Sequence, residues 1–136
     1  MINFFYNKSL PVNLDEDKIA QWISRCIDFH DFEEGEISYT FMSDDELLAI
    51  NKEMLNHDYY TDIITVDQSI DDIISGDIFV SIDRINENAE KLNVDFHTEL
   101  LRVLIHGVLH IVGFDDHNEN DRKLMRKEED RCIADF

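Results

Sequence analysis

The segment from Leu100 to Val112 constrains the fold most, because nine of its thirteen residues are aliphatic. A helix that is apolar on nearly every side has to be surrounded by the rest of the chain. His106 and His110 nevertheless lie inside this segment. An unpaired buried polar group costs about 1 to 3 kcal/mol. The segment therefore predicts a central helix whose two imidazoles are satisfied by polar partners or by a bound ion.

Hydrophobic periodicity predicts the element order β-α-β-α-β-β-α-α-α along the chain. Ser43 and Glu46 have the spacing of a capping box at the start of the second helix. Strands interleaved with helices favour an α+β fold, with a single small mixed sheet of about four strands packed with helices. The predicted strands cover residues 2–6, 36–42, 61–66 and 77–82. The first predicted helix begins after residues 13–16 and the second begins after Ser43, and the other three cover 83–92, 95–112 and 118–133.

The charge of the chain argues against a general nucleic-acid-binding protein. Twelve basic and 31 acidic residues give a formal net charge of -19. Such a charge repels phosphate backbones at long range, so no DNA partner is expected. Five of the twelve cations nevertheless fall in the last fifteen residues. They predict a local basic strip, formed by Arg122, Lys123, Arg126, Lys127 and Arg131.

Length and cysteine usage indicate the organisation and the compartment. A chain of 136 residues without repeats or linkers fits one domain that spans residues 1–136. Cys26 and Cys132 fall at apolar positions of predicted helices, where reduced thiols behave as small hydrophobes. No segment approaches 18 apolar residues, and the N-terminus lacks the pattern of a signal peptide. We expect a cytoplasmic protein with no membrane partner.

The central helix contains a candidate metal site. His106 and His110 are four residues apart, so both project from one side of a helix, with Cβ atoms roughly 6 Å apart. Gly113 is a natural left-handed cap, after which the chain can bend and bring His117 toward the pair. Three neutral imidazoles with one open position are typical of catalytic zinc. This pattern predicts one Zn²⁺ per chain, or another divalent transition metal, on the buried helix; an isolated histidine pair that only fills the core or the surface remains the alternative.

Gly107 bears on the class of hydrolase. The zinc-peptidase pattern H-E-x-x-H carries its glutamate base directly after the first histidine, where Gly107 stands here. A peptidase of that type is therefore disfavoured. A glycine inside a helix costs about 1 kcal/mol relative to alanine, so Gly107 predicts a close backbone approach. The remaining three histidines, His30, His57 and His97, are assigned no chemical role.

The run from His106 to His117 resembles the signature of the YbeY family, bacterial endoribonucleases of ribosomal RNA maturation, written H-G-x-L-H-x-x-G-[YF]-D-H. Two further stretches resemble the family, LNHDYYTDIITV and SGDIFVSI, and the likeness spans residues 51–131. The resemblance implies a metal-dependent, single-strand-specific endoribonuclease in rRNA maturation and ribosome quality control. It implies rRNA and a ribosome or ribosomal protein as partners. The matching residues are His106, Gly107, Leu109, His110, Gly113, Phe114 and His117, with Asp58, Thr61, Asp62, Gly76 and Asp77 in the other stretches.

The chain departs from the family pattern at two places. The turn Gly-Phe-Asp-Asp-His is one residue longer, so either His117 reaches the metal by a wider turn or Asp116 takes its coordination place. We expect His106, His110 and His117 as ligands and Asp116 as the catalytic residue, which orients a ligand or accepts a proton from water. Two solvated loop carboxylates, Asp115 and Asp116, are the equally weighted alternative. Leu55 stands where the family commonly carries an arginine.

Two other classes of function remain open on the sequence. One is a metal-dependent hydrolase of a non-RNA ester or amide, and the other is a non-catalytic ribosome-assembly module with a structural metal. Arg102, one turn before His106, could meet a phosphate, but a structural salt bridge is favoured. If the substrate is RNA, we expect affinity to come from the metal, a few local basic groups and a ribosomal partner rather than from net charge.

Overall fold

A computed structural model describes all 136 residues and contains four strands and five helices in the predicted order. None of the five helices combines the length and the apolarity that a membrane crossing requires. The predicted α+β fold class is confirmed. The strands are β1 (Ile2–Tyr6), β2 (Glu33–Met42), β3 (Ile63–Asp67) and β4 (Ile73–Ser81), and the helices are α1 (Glu16–Phe29), α2 (Asp44–Leu55), α3 (Ile82–Leu92), α4 (Phe96–Ile111) and α5 (Glu119–Ala134).

The four strands form one mixed sheet with the order β1-β2-β4-β3. β1 pairs parallel with β2, β2 pairs parallel with β4, and β3 pairs antiparallel with β4. The predicted starts of β2 and β4 are too late. In the structure, Glu33 and Glu34 of β2 already pair with Ile73 and Ile74 of β4, before a register irregularity. Backbone pairing therefore extends β2 and β4 beyond the stretches in which side chains alternate.

Helix α4 lies at the centre of the packing, as its composition predicts. The Asp95 side chain caps its first turn by accepting a hydrogen bond from the Thr98 N–H. On the sheet side, the Tyr39 hydroxyl donates to the Leu104 carbonyl at 2.9 Å. The helix contacts β3, β4 and three other helices. Nine of its sixteen residues are buried: Glu99, Leu100, Leu101, Val103, Leu104, Ile105, Gly107, Val108 and Leu109.

At Gly107 and Gly76, an added Cβ would crowd a neighbouring part of the sheet. A Cβ on Gly107 would lie 2.8 Å from Cδ1 of Ile63, so the predicted close approach is present, although it involves side chains rather than backbone. A Cβ on Gly76 would lie 2.5 Å from the backbone oxygen of Val66. The contact at Gly107 can relax by rotation of an isoleucine, whereas the contact at Gly76 requires the two paired strands to move apart.

The Gly76→Ala variant is expected to lower the free energy of unfolding by about 1 to 3 kcal/mol, the usual cost of overpacking. Gly107→Ala is the matched control, since the gain of about 1 kcal/mol in helix propensity offsets the displaced Ile63 methyl. Urea denaturation of both variants measures the difference. Equal midpoints for Gly76→Ala and the wild type would contradict the rigid contact with Val66.

Candidate metal centre

Three side chains converge at the C-terminal end of α4. The rings of His106 and His110 meet edge to face with centroids 4.6 Å apart. Oδ2 of Asp116 lies 3.7 Å from Nε2 of His106 and 3.3 Å from Nε2 of His110. One ligand atom from each of the three side chains falls within 4.8 Å of the others. A tetrahedral zinc with bonds of 2.0 to 2.1 Å needs ligand atoms about 3.3 Å apart, so this spacing fits a single ion.

The turn after α4 decides which acidic or imidazole side chain joins the histidine pair. Gly113 adopts φ 115°, and the Phe114 N–H donates to the Leu109 carbonyl at 2.9 Å, which closes the helix end. The chain then doubles back into α5, whose first turn is capped by the Asn118 side chain. This path turns Asp116 toward the pair. The side chain of His117 is 80% exposed, and its Nε2 lies 3.8 Å from Asp115.

The outcome for the predicted residues is therefore divided. His106 and His110 share one side of α4, as their spacing predicts. Asp116, predicted as the catalytic residue, occupies the third position beside them. His117, predicted as the third ligand, lies apart from the pair because it immediately precedes the cap of α5. The assembled set is two imidazoles and one carboxylate, and the roles of these residues stay predictions.

A buried carboxylate on α5 orients His106. Oε2 of Glu129 lies 2.6 Å from Nδ1 of His106, and Oε1 accepts a hydrogen bond from Arg102 at 2.9 Å. Glu129 is only 4% exposed. Because the carboxylate accepts from Nδ1–H, Nε2 is the ring nitrogen with a free lone pair, and that nitrogen faces Asp116. Burial lowers the pKa of His106, but the hydrogen bond to Glu129 and the nearby carboxylates raise this pKa by more.

The sequence contains a signal for Glu129 that the periodicity argument overlooked. Met125, Glu129 and Cys132 follow one another at four and three residues on the inward side of α5, and all three are buried. Leu124, the apolar residue next to Met125, is instead 59% exposed. A carboxylate on an inward stripe requires a buried partner. Arg102 supplies one, in the salt bridge that its position predicts.

Two surface cavities, of about 300 and 380 Å³, meet at the three converging side chains. Both are lined by His106 and Asp116, and also by Asp62, whose pKa is raised because burial outweighs the nearby positive charges. No further His, Cys, Asp or Glu offers a ligand atom to the group. An ion held there would keep an open coordination position facing the cavities, as catalytic sites do.

The cavity of about 300 Å³ also contains Glu99, on the first turn of α4. This carboxylate is 3% exposed. Burial raises its pKa above the ordinary value of 4.5, and the opposing charge of Arg102 offsets only part of that effect. Glu99 is thus an ionisable group whose charged form is destabilised by its surroundings.

Comparison with known proteins identifies similar chains over the whole length. The family described as Endoribonuclease YbeY matches residues 4–136. Proteins of that name from Flavobacterium johnsoniae and Christiangramia forsetii are 46% and 43% identical, over 100% and 99% of this chain and 97% and 94% of theirs. The solution structure of a Thermotoga maritima protein aligns with a TM-score of 0.71 at 25% identity, covering 98% of this chain and 87% of that one.

The Glu99→Gln variant is expected to be more stable than the wild type at neutral pH. The folded-state pKa of Glu99 is raised above 4.5, so the stability that its proton contributes is complete below pH 4.5 and is lost as the pH rises through that pKa. Glutamine cannot ionise. The stability difference should therefore grow from pH 5 upward and then become constant. Urea denaturation between pH 5 and 8 measures it.

Glu53→Gln, at an exposed glutamate of α2, is the control. A difference that is the same at every pH, or that is matched by Glu53→Gln, would contradict the cost assigned to ionised Glu99.

Proposed function

Because the chain belongs to the YbeY family of endoribonucleases, we propose that it hydrolyses single-stranded RNA with a divalent metal ion, acting on ribosomal RNA in its maturation and quality control. An RNA-cleaving hydrolase follows from the family. The metal dependence, the ribosomal substrate with its ribosomal protein partner, and the cytoplasmic location are the finer parts of the proposal. Residues 1–136 act in it as one hydrolase domain. The convergence of His106, His110 and Asp116 on open cavities is the observation that carries it.

The donor set suits zinc, with another divalent transition metal as the alternative, since two imidazoles and one carboxylate are a common ligand set of catalytic zinc. His106, His110 and Asp116 would hold the ion. When bound, the ion supplies a Lewis acid that activates water and offsets negative charge on the phosphoryl oxygen. In this assignment Asp116 is a ligand, and the exposed side chain of His117 does not contact the ion. The other assignment, with His117 as a ligand and Asp116 as the catalytic residue, requires the turn between α4 and α5 to rearrange.

Glu129 and Arg102 hold His106 in the orientation that metal binding needs. An isolated buried carboxylate would be costly, but Arg102 neutralises Glu129 through their hydrogen bond. Glu129 in turn fixes the tautomer and the ring orientation of His106. His106 therefore needs no reorientation when it binds a metal, and the entropy cost of assembling the site is met during folding.

The basic strip offers phosphate contacts beside the site. Most of the twelve cations are engaged by carboxylates, but Arg122 contacts only the backbone carbonyl of Asp116, at 3.4 Å. Arg122 and Arg126 line the cavity of about 300 Å³ next to His106. No lysine or arginine lines the other cavity, where the exposed Leu55 stands in place of the family's arginine. We therefore place the RNA backbone along α5.

The first experiment is metal analysis of the purified chain, followed by a cleavage assay on single-stranded RNA with His110→Ala, Asp116→Asn and His117→Ala. His110→Ala and Asp116→Asn should lose bound metal, and cleavage should fall by about 100-fold or more, because metal catalysis contributes several kcal/mol. His117→Ala should keep both properties, since its side chain lies away from the pair.

Other results of this experiment separate the alternatives. Loss of metal in His117→Ala but not in Asp116→Asn would exchange the roles of the two residues. Unfolding on chelation without any RNA cleavage by the wild type would favour a structural metal. Turnover of a non-RNA ester with no cleavage of RNA would favour a different hydrolase.

The double variant Arg122→Gln/Arg126→Gln tests the placement of the RNA, with Lys18→Gln as a control cation on α1. In a His110→Ala background, where cleavage is expected to be slow, the double variant should bind a single-stranded oligonucleotide several-fold more weakly. The slope of log affinity against log salt should fall by about 0.7 for each phosphate that the double variant no longer neutralises. Fluorescence anisotropy measures both quantities. An equal weakening in Lys18→Gln would indicate a general charge effect and contradict a specific path along α5.

A further inference from the structure

The two cysteines lie against each other between α1 and α5, although they are 106 residues apart in the sequence. Their Sγ atoms are 3.1 Å apart, and both residues are buried. A disulfide bond is about 2.05 Å long, so the two sulfurs need to approach by only about 1 Å. We propose that Cys26 and Cys132 form a reversible oxidation site, at which a peroxide converts the dithiol into a disulfide that joins α1 to α5.

A small oxidant can reach the two sulfurs through a surface cavity of about 310 Å³. Both cysteines line this cavity, together with Arg25, Phe29 and Arg131. The exposed fractions of Cys26 and Cys132 are only 5% and 1%, so a thiol on another protein cannot approach them face on. The geometry selects hydrogen peroxide or a small alkyl peroxide and disfavours disulfide exchange with a protein partner.

The surroundings distinguish the two thiols chemically. Nη2 of Arg131 lies 3.5 Å from Sγ of Cys132. The hydrogen bond from Cys26 and the charge of Arg131 lower the pKa of Cys132 despite its burial, whereas the same hydrogen bond and burial raise the pKa of Cys26. Glu128 lies close by, but its carboxylate is engaged by Arg131 at 2.6 Å. Cys132 is therefore the attacking thiolate and Cys26 is the resolving thiol.

The reaction balances in two steps. The Cys132 thiolate attacks one peroxide oxygen, so an S–O bond forms, the O–O bond breaks, and hydroxide or alkoxide leaves and takes up a proton. The Cys26 sulfur then attacks the sulfur of Cys132 and loses its proton, the S–S bond forms, and the S–O bond breaks with release of water. With hydrogen peroxide, two thiols and one peroxide give one disulfide and two waters, and the two sulfurs are oxidised by two electrons in total.

The contacts around the cysteines already hold the helices where the disulfide needs them. Nε1 of Trp22 donates to the Cys132 carbonyl at 2.6 Å, and Nε of Arg25 donates to Asp135 at 3.1 Å. The new bond would thus need little rearrangement. Glu129 precedes Cys132 by less than one turn, so the bond also secures the part of α5 that orients His106. Closing a loop of this length restricts the unfolded chain more than the folded one, so the disulfide stabilises the fold.

The experiment compares one preparation of the full wild-type chain before and after treatment with hydrogen peroxide. Thiol titration in denaturant should fall from two groups to none, with a mass loss of about 2 Da for the two hydrogens. The melting temperature should rise by about 5 °C or more and return on reduction with dithiothreitol. In Cys26→Ser, a sulfenic-acid probe should label Cys132, whereas Cys132→Ser should remain unlabelled.

Several results would overturn the proposal. One is two free thiols after a peroxide dose that oxidises an exposed cysteine in a reference protein. Others are a covalent dimer on a non-reducing gel, or an oxidised monomer with a lower melting temperature. The comparison of oxidised and reduced wild type needs no variant, so it remains decisive even if a serine substitution impairs folding. It also needs no RNA or metal, so it is independent of the proposed nuclease activity.

Discussion

The hydrogen bond between His106 and Glu129 is the interaction on which the candidate site depends. It joins a polar group on the most apolar helix of the fold to a carboxylate on the last helix, and Arg102 completes the charge balance. Buried charges are tolerated only when each has a partner, so none of the three residues can be replaced alone without cost. The same bond settles which nitrogen of His106 faces Asp116 and the cavities, and so the packing of α5 on α4 determines the chemistry available there.

Helix α5 combines several roles in this fold. Its inward side supplies Glu129 and the thiol of Cys132, and its outward side carries four cations of the basic strip, whereas the fifth, Arg131, lies beside Cys132. A net charge of -19 gives the protein a repulsive field toward RNA at long range. Cations next to the site can still contact phosphates directly. Acidic groups farther from those phosphates than the Debye length of about 8 Å oppose this contact only weakly, because salt screens them. Recognition by a few contacts beside a metal is compatible with such a protein, whereas a general polyanion-binding surface is not.

Local patterns predicted the elements of the fold well because each pattern reflects a local cause. The capping box at Ser43 and Glu46 forms as predicted, and the apolar run of α4 is enclosed as its composition requires. The strand order β1-β2-β4-β3 did not follow from those patterns, since it depends on which strands meet across the core. The early start of β4 has the same origin, because Ile73 and Ile74 are fixed by pairing with β2 and not by their own alternation.

By itself, the sequence determined that His106 and His110 would share one side of a buried helix, because four residues make about one helical turn. It also determined where that helix ends, through Gly113. Only the tertiary structure decided the third member of the group and the partner behind it. The turn and the Asn118 cap select Asp116 over His117, and the packing of α5 brings in Glu129. Both choices depend on where the chain returns in space, and residue spacing along the chain carries no information about that path.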